Sequence, residues 1–177
     1  TFTVTLSPAT GAIAIAIGDF DQDGDMDIAT ANNSGAANNV SILRNNWIGL
    51  GTFSFTLVGN ITVGASPALR GITAADFDGD LELDLAVSCN ASTNMYVLIG
   101  NTGAADLTFP TVYAYTALNS GGGLTSVDMD GDGDKDIVTT HRNAVNSISV
   151  FTNNGTLGTR FSTTARSDYA SPSDPMF

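Results

Sequence analysis

Apolar stretches of four to eight residues, rich in Val, Ile, Thr and Phe, alternate along this chain with clusters of Gly, Asn, Ser and Pro such as NNSGAANN and GASPALRG. The run AIAIAI from Ala12 switches at every residue, as a strand with two distinct faces does. No window of helical length carries a 3.6-residue period, so the pattern predicts an all-β fold of short strands and turns.

The strands fall into repeats. Three acidic loops start at Asp19, Asp76 and Asp128, and each is followed by a short apolar run: DIATA, DLAVS and DIVTT. After a polar turn comes a second strand, VSILRN, YVLIGN or ISVFTN, ending at Asn45, Asn101 or Asn153. Eight residues beyond each asparagine stands Phe53, Phe109 or Phe161, so this spacing is constant where the turn lengths are not.

Counted from phenylalanine to phenylalanine, with Phe2 as the earliest equivalent, the repeats run 2–52, 53–108 and 109–160, and 161–177 begins another. About 50 residues with four short strands matches a propeller blade, a sheet that buries its faces only against its neighbours. Residues 1–177 are therefore expected to form one β-propeller segment of three four-stranded blades plus the start of a fourth. Rings need four to eight blades, so a larger or oligomeric propeller is expected, with an apolar face left open where no blade follows.

Composition sharpens this picture. At 177 residues and 42% hydrophobic content the chain can bury a real core, yet its formal charge is −12. Of its 18 acids, 15 lie within Asp19–Asp27, Asp76–Asp84 and Asp128–Asp136, so the acidity belongs to three short segments. Nothing basic offers a nucleic-acid surface, and no apolar run approaches the ~18 residues of a membrane span. Cys89, in the apolar run DLAVSC, reads as a small buried thiol, and the lone His141 as a packing or surface residue. No G-x-S-x-G or H-E-x-x-H occurs, so no catalytic residue is assigned and no enzyme is expected.

The acidic loops carry the chemistry. Positions 1, 3, 5 and 9 are Asp19, Asp21, Asp23 and Asp27 in the first, Asp76, Asp78, Asp80 and Asp84 in the second, and Asp128, Asp130, Asp132 and Asp136 in the third. Two carboxylates ~5 Å apart repel by roughly 3 kcal/mol at an effective dielectric near 20, so four of them call for a cation. Calcium takes six to eight oxygens, and a tight loop with carboxylates at alternate positions can curl them onto one centre. Position 7 (Asp25, Glu82 or Asp134) is expected to add its backbone carbonyl.

Glycine at position 6, Gly24 and Gly133, suits the sharp turn, whereas Leu81 stands there in the second loop and makes it the odd one out. An EF-hand needs a bidentate Glu at position 12, but Thr30, Val87 and Thr139 stand there, between strands.

The segments DFDQDGDMDIA, DFDGDLELDLA and DMDGDGDKDIV resemble the calcium loops of the FG-GAP and VCBS repeat family, the blades of integrin α-type propellers and of many secreted proteins. Gly18, just before the first loop, fits that pattern, while Ala75 and Val127 depart from it. The resemblance carries the ligand role to positions 1, 3, 5 and 9 of each loop and implies about three Ca²⁺ ions that brace the loops. It further implies an extracellular, non-enzymatic binding or adhesion module whose partner is a protein or a glycan. Two alternatives remain open: a structural subunit that assembles with further copies of itself through open blade edges, and an accessory carbohydrate-binding propeller of a polysaccharide-degrading enzyme.

Overall fold

A computed structural model describes residues 11–33, 39–47, 54–64, 68–101, 107–117, 121–141, 147–155 and 161–170. Phe2 and Phe53 lie outside the described residues. The described elements are twelve strands and no helix: β1 (Ala12–Gly18), β2 (Asp27–Asn32), β3 (Asn39–Asn45), β4 (Phe55–Thr62), β5 (Leu69–Ala75), β6 (Asp84–Cys89), β7 (Asn94–Ile99), β8 (Thr111–Thr116), β9 (Gly121–Val127), β10 (Asp136–His141), β11 (Ser147–Asn153) and β12 (Phe161–Ala170). They form three four-stranded sheets, β1-β2-β3-β4, β5-β6-β7-β8 and β9-β10-β11-β12, in which chain neighbours pair antiparallel. These sheets are propeller-like blades, as the repeat pattern predicts.

Repeat and sheet are offset by one strand. β8 follows Phe109 and pairs with β7, and β12, in the residues that begin a further repeat, pairs with β11 as the outer strand of the third sheet. The strand that opens a sequence repeat thus closes the sheet before it. The phase of a sequence repeat is arbitrary, whereas a strand hydrogen-bonds to the neighbour its short connection allows.

Inner strands pack against inner strands, β1 on β5 and β5 on β9, which sets the sheets side by side. The middle sheet is covered on both faces, and its strands read as continuous apolar runs for that reason: every residue of β6 is buried. Leu85, Val87 and Cys89 join one core with Ala29, Ala31 and Ile42 of the first sheet. Ala86, Met95 and Val97 join a second with Ile137 and Phe151 of the third.

Phenylalanines stitch successive sheets together: Phe109 meets Phe20 of the first acidic loop edge-to-face at 6.1 Å, and Phe161 meets Phe77 of the second at 5.6 Å. Where backbones come close, glycine is required. A Cβ on Gly71 would stand 3.1 Å from the carbonyl oxygen of Gly122 on the neighbouring inner strand.

In AIAIAI the burial runs against residue size. Ala16 is buried toward the middle sheet, whereas Ile13, Ile15 and Ile17 are 44%, 60% and 58% exposed on the opposite face. The row of Ile17 continues through Ile28 and Leu43 on the paired strands, while that of Ile15 crosses Thr30 and Ser41, so the exposed apolar surface of this face is concentrated on β1. Met129 lies at the second position of the third acidic loop, where Phe20 and Phe77 stand in the other two, and is 54% exposed because no further sheet covers it among the described residues.

Candidate metal centres

Each acidic loop joins the first and second strands of a sheet, β1 to β2, β5 to β6 and β9 to β10. The first strand ends and the chain turns back over eight residues, with positive φ at two fixed positions. Position 4 has φ of 59° at Gln22, 77° at Gly79 and 82° at Gly131; position 6 has 96° at Gly24, 73° at Leu81 and 100° at Gly133. Leu81 therefore adopts the same turn that glycine makes in the other loops, and the second loop keeps its geometry. A side chain in this region costs about 1 kcal/mol, and Leu81, 86% exposed, has no compensating burial.

The crowded acids are held by backbone N–H groups at alternate positions. Asp23 accepts the N–H of Asp25 at 2.9 Å, Asp80 that of Glu82 at 2.9 Å, and Asp132 that of Asp134 at 2.9 Å. Asp21, Asp78 and Asp130 accept the N–H two residues on at 3.4, 3.2 and 3.3 Å. Oδ2 of the first aspartate reaches across the turn to the N–H of position 6: Asp19 to Gly24 at 3.0 Å, Asp76 to Leu81 at 2.9 Å, Asp128 to Gly133 at 3.1 Å. Side-chain carboxylates that capture the N–H two residues on favour turn over strand, which is why aspartate at every second position does not extend β1 into the loop.

Position 9 is different in kind. Asp27, Asp84 and Asp136 are fully buried at the start of the second strand. One oxygen of each accepts the N–H of loop position 2 (Phe20 at 3.1 Å, Phe77 at 2.8 Å, Met129 at 2.7 Å). The other accepts an N–H where the third strand ends: Asn45 at 2.8 Å, Gly100 at 2.8 Å, Asn153 at 2.7 Å. Burial pushes the Asp84 carboxyl up to about 7, opposed by the hydrogen bonds from Gly100 and Phe77 and reinforced by the nearby charges of Asp78 and Asp80. Burial raises Asp27 in the same direction.

These bonds correct one equivalence drawn from spacing. Asn101 does not occupy the place of Asn45 and Asn153; Gly100 does, because it lies two residues past Leu98, the partner of Leu85, as Asn45 lies two past Leu43 and Asn153 two past Phe151. The Nδ2 of Asn45 donates to the carbonyl of Met26 at 3.1 Å, and that of Asn153 to the carbonyl of Lys135 at 3.2 Å. In the second sheet a Cβ at Gly100 would come 2.9 Å from the matching carbonyl, that of Leu83, so a glycine stands where the others use an amide. Gly18 makes a different contact, since a Cβ there would meet the end of the Leu83 side chain of the next loop, which would have to shift.

Carboxylate oxygens converge in each loop. Asp19, Asp21 and Asp27 bring one oxygen each within 4.8 Å of one another, as do Asp76, Asp78 and Asp84, and Asp128, Asp130 and Asp136. Three oxygens at that separation fit around a hard cation bound at 2.3 to 2.6 Å, and no His or Cys belongs to any of the groups. Asp23, Asp80 and Asp132 lie outside these groups, engaged with the position 7 N–H of Asp25, Glu82 and Asp134. The first loop also holds an internal cation, with Arg44 Nε 2.9 Å from Asp21 Oδ2 but not aligned as a hydrogen bond. Spacing did not reveal this pair, since Arg44 lies on β3, beyond a hairpin of variable length.

The remaining candidates are packing residues. Cys89 is buried, and burial pushes its thiol up to about 12, which leaves it unreactive in the folded chain. His141 is buried with Nε2 2.8 Å from Ser149 Oγ.

Propeller-like sheets that each carry an acidic loop of one register define a repeat module with a candidate cation site per blade. Residues 19–87 match the family model of the FG-GAP-like repeat, a stretch that runs from the first loop to β6 and includes the second loop entire. The resemblance read from the loop motifs is thereby supported across the first two repeats. No curated protein matches the chain.

Two outcomes follow from the loop geometry. Leu81→Gly should leave the fold intact and raise stability by up to about 1 kcal/mol in urea unfolding, because glycine takes positive φ without strain; a clear loss would show that the leucine is not strained. The second concerns Asp84. Its carboxyl titrates near 7 in the folded protein against 3.8 as the ordinary value, so without metal the folded state binds more protons between those values. Stability in metal-free solution should therefore fall as pH rises from 5 to 8. Urea midpoints measured at both ends check the sign, and a midpoint that climbs toward pH 8 in wild type contradicts it.

Proposed function

We propose that the three loops hold calcium and that the chain is an extracellular, non-enzymatic binding or adhesion module of the propeller type. The observation that carries the reading is the convergence of three carboxylates, at the same three positions, in every loop. All donors are oxygens, which suits calcium over zinc or copper, and position 5 side chains and position 7 carbonyls lie in sequence where they would complete a larger shell. Three such ions would bring the formal charge from −12 to −6. Asp19 and Asp128 are partly open to solvent and Asp130 is exposed, which suits weak sites filled where calcium is millimolar, outside the cell. The ions then brace the hairpin loops, and the partner, a protein or a glycan, docks on the scaffold.

The exposed isoleucines of β1, Ile13, Ile15 and Ile17, favour a second reading, in which further copies of the chain stack on them. Sedimentation across a concentration series, with and without calcium, separates the two: a monomer throughout removes the assembly reading.

The calcium reading is tested by melting in excess calcium against excess chelator. A site bound only by the folded state at one hundred times its Kd adds about 2.7 kcal/mol, or roughly 5–10 °C in a domain of this size. Coincident curves would dispose of it.

A further inference from the structure

Asn153 touches two acidic loops at once. Its Nδ2 donates to the carbonyl of Lys135 in the third loop at 3.2 Å and to the carbonyl of Phe77 in the second at 2.9 Å. Its own N–H is held by Asp136, and its Oδ1 accepts the N–H of Gly155 at 3.1 Å. Every hydrogen-bonding group of this side chain is used, and the residue is buried. The Phe77 backbone is held on its other side by Asp84, which accepts the Phe77 N–H at 2.8 Å. An unbroken chain of buried hydrogen bonds therefore runs from Asp84, in the converging group of the second loop, through Phe77 and Asn153 to Asp136, in that of the third.

We propose that cation binding at the second and third loops is positively coupled through the side chain of Asn153. The inference rests on the reading of the loops as calcium sites. An ion at the second loop fixes Asp84, hence the Phe77 backbone on either side of its Cα, hence the Asn153 side chain, and with it the residue whose backbone N–H Asp136 accepts. The third site then binds with less ordering left to do, which is positive cooperativity without a change of shape. The sign separates this route from direct electrostatics, since each bound cation lowers the negative field at its neighbour and makes the next ion bind more weakly.

The first and second loops lack the bridge. Gly100 has no side chain to reach back to the first loop, and the two loops meet through Leu83 packed at Gly18 and through an exposed hydrogen bond, Gln22 Nε2 on the carbonyl of Leu81 at 3.3 Å, which water competes for. Asn45 makes the bond within its own loop, to Met26, at the first sheet. The coupling is therefore specific to one pair of the three.

The test reads each site separately in a calcium titration followed by amide resonances of Gly24, Gly79 and Gly133, which lie in the three loops and are bonded to Asp19, Asp76 and Asp128. Asp78→Ala disables the second site, and the calcium midpoint at Gly133 should then rise by at least about fivefold, the low end of typical coupling. Asn153→Gly keeps the N–H that Asp136 accepts and copies the residue found at the second sheet. In that background Asp78→Ala should move the Gly133 midpoint by less than about twofold. Asn45→Ala should leave the effect of Asp78→Ala on Gly133 intact.

A Gly133 midpoint indifferent to Asp78→Ala overturns the coupling without any change at Asn153, so the test stands even where Asn153 variants do not fold. A shift of the same size with and without the Asn153 amide overturns the bridge. Calcium-dependent shifts at none of the three glycines would overturn the calcium reading itself and the coupling with it.

Discussion

The carboxylate at the ninth loop position is the interaction on which the rest of this structure depends. A buried carboxylate is costly in water-excluding surroundings, and each of Asp27, Asp84 and Asp136 offsets that cost by accepting backbone N–H groups from two other parts of the chain. Those bonds fasten the loop's beginning to the end of the third strand, so the hairpin loop, the second strand and the sheet's register are set together. What remains of the acceptor capacity points to the converging oxygens, where a cation has its natural place.

Packing between sheets then decides how the three loops relate. Inner strands lie close because alanines and glycines line them, and the phenylalanines after the third strand reach back onto the phenylalanine of the neighbouring loop. This sets each loop against the next: Gly18 against Leu83, Gln22 against Leu81, Asn153 against Phe77. The metal centres are spaced by the same contacts that bury the core, and so loop chemistry and blade packing share residues.

Much of this was legible from the chain. The fixed register of Asp at positions 1, 3, 5 and 9, repeated three times, announced the loops, and the apolar run DLAVSC announced a strand with a buried Cys89. Other features were not. Leu81 looked like a break in the turn, yet it takes the glycine conformation, with the loop held by the N–H groups of Gly79 and Leu81 donating to the Asp76 carboxylate. Asn101 looked equivalent to Asn45 and Asn153, but the pairing of Leu98 with Leu85 puts Gly100 in that place, and register is a property of pairing that spacing does not reveal.

The sequence by itself determined the repeat, the all-β class and the side chains able to meet a cation, since these follow from periodicity and from the short reach of aspartate within its own loop. Only the tertiary structure decided which strands share a sheet, that three of the four side-chain positions converge while the fifth-position aspartates turn to their own backbone, and that Arg44 and Asn153 reach acidic loops from distant strands. Contacts across a hairpin or between sheets depend on strand pairing and packing, and those form between residues that local pattern leaves far apart.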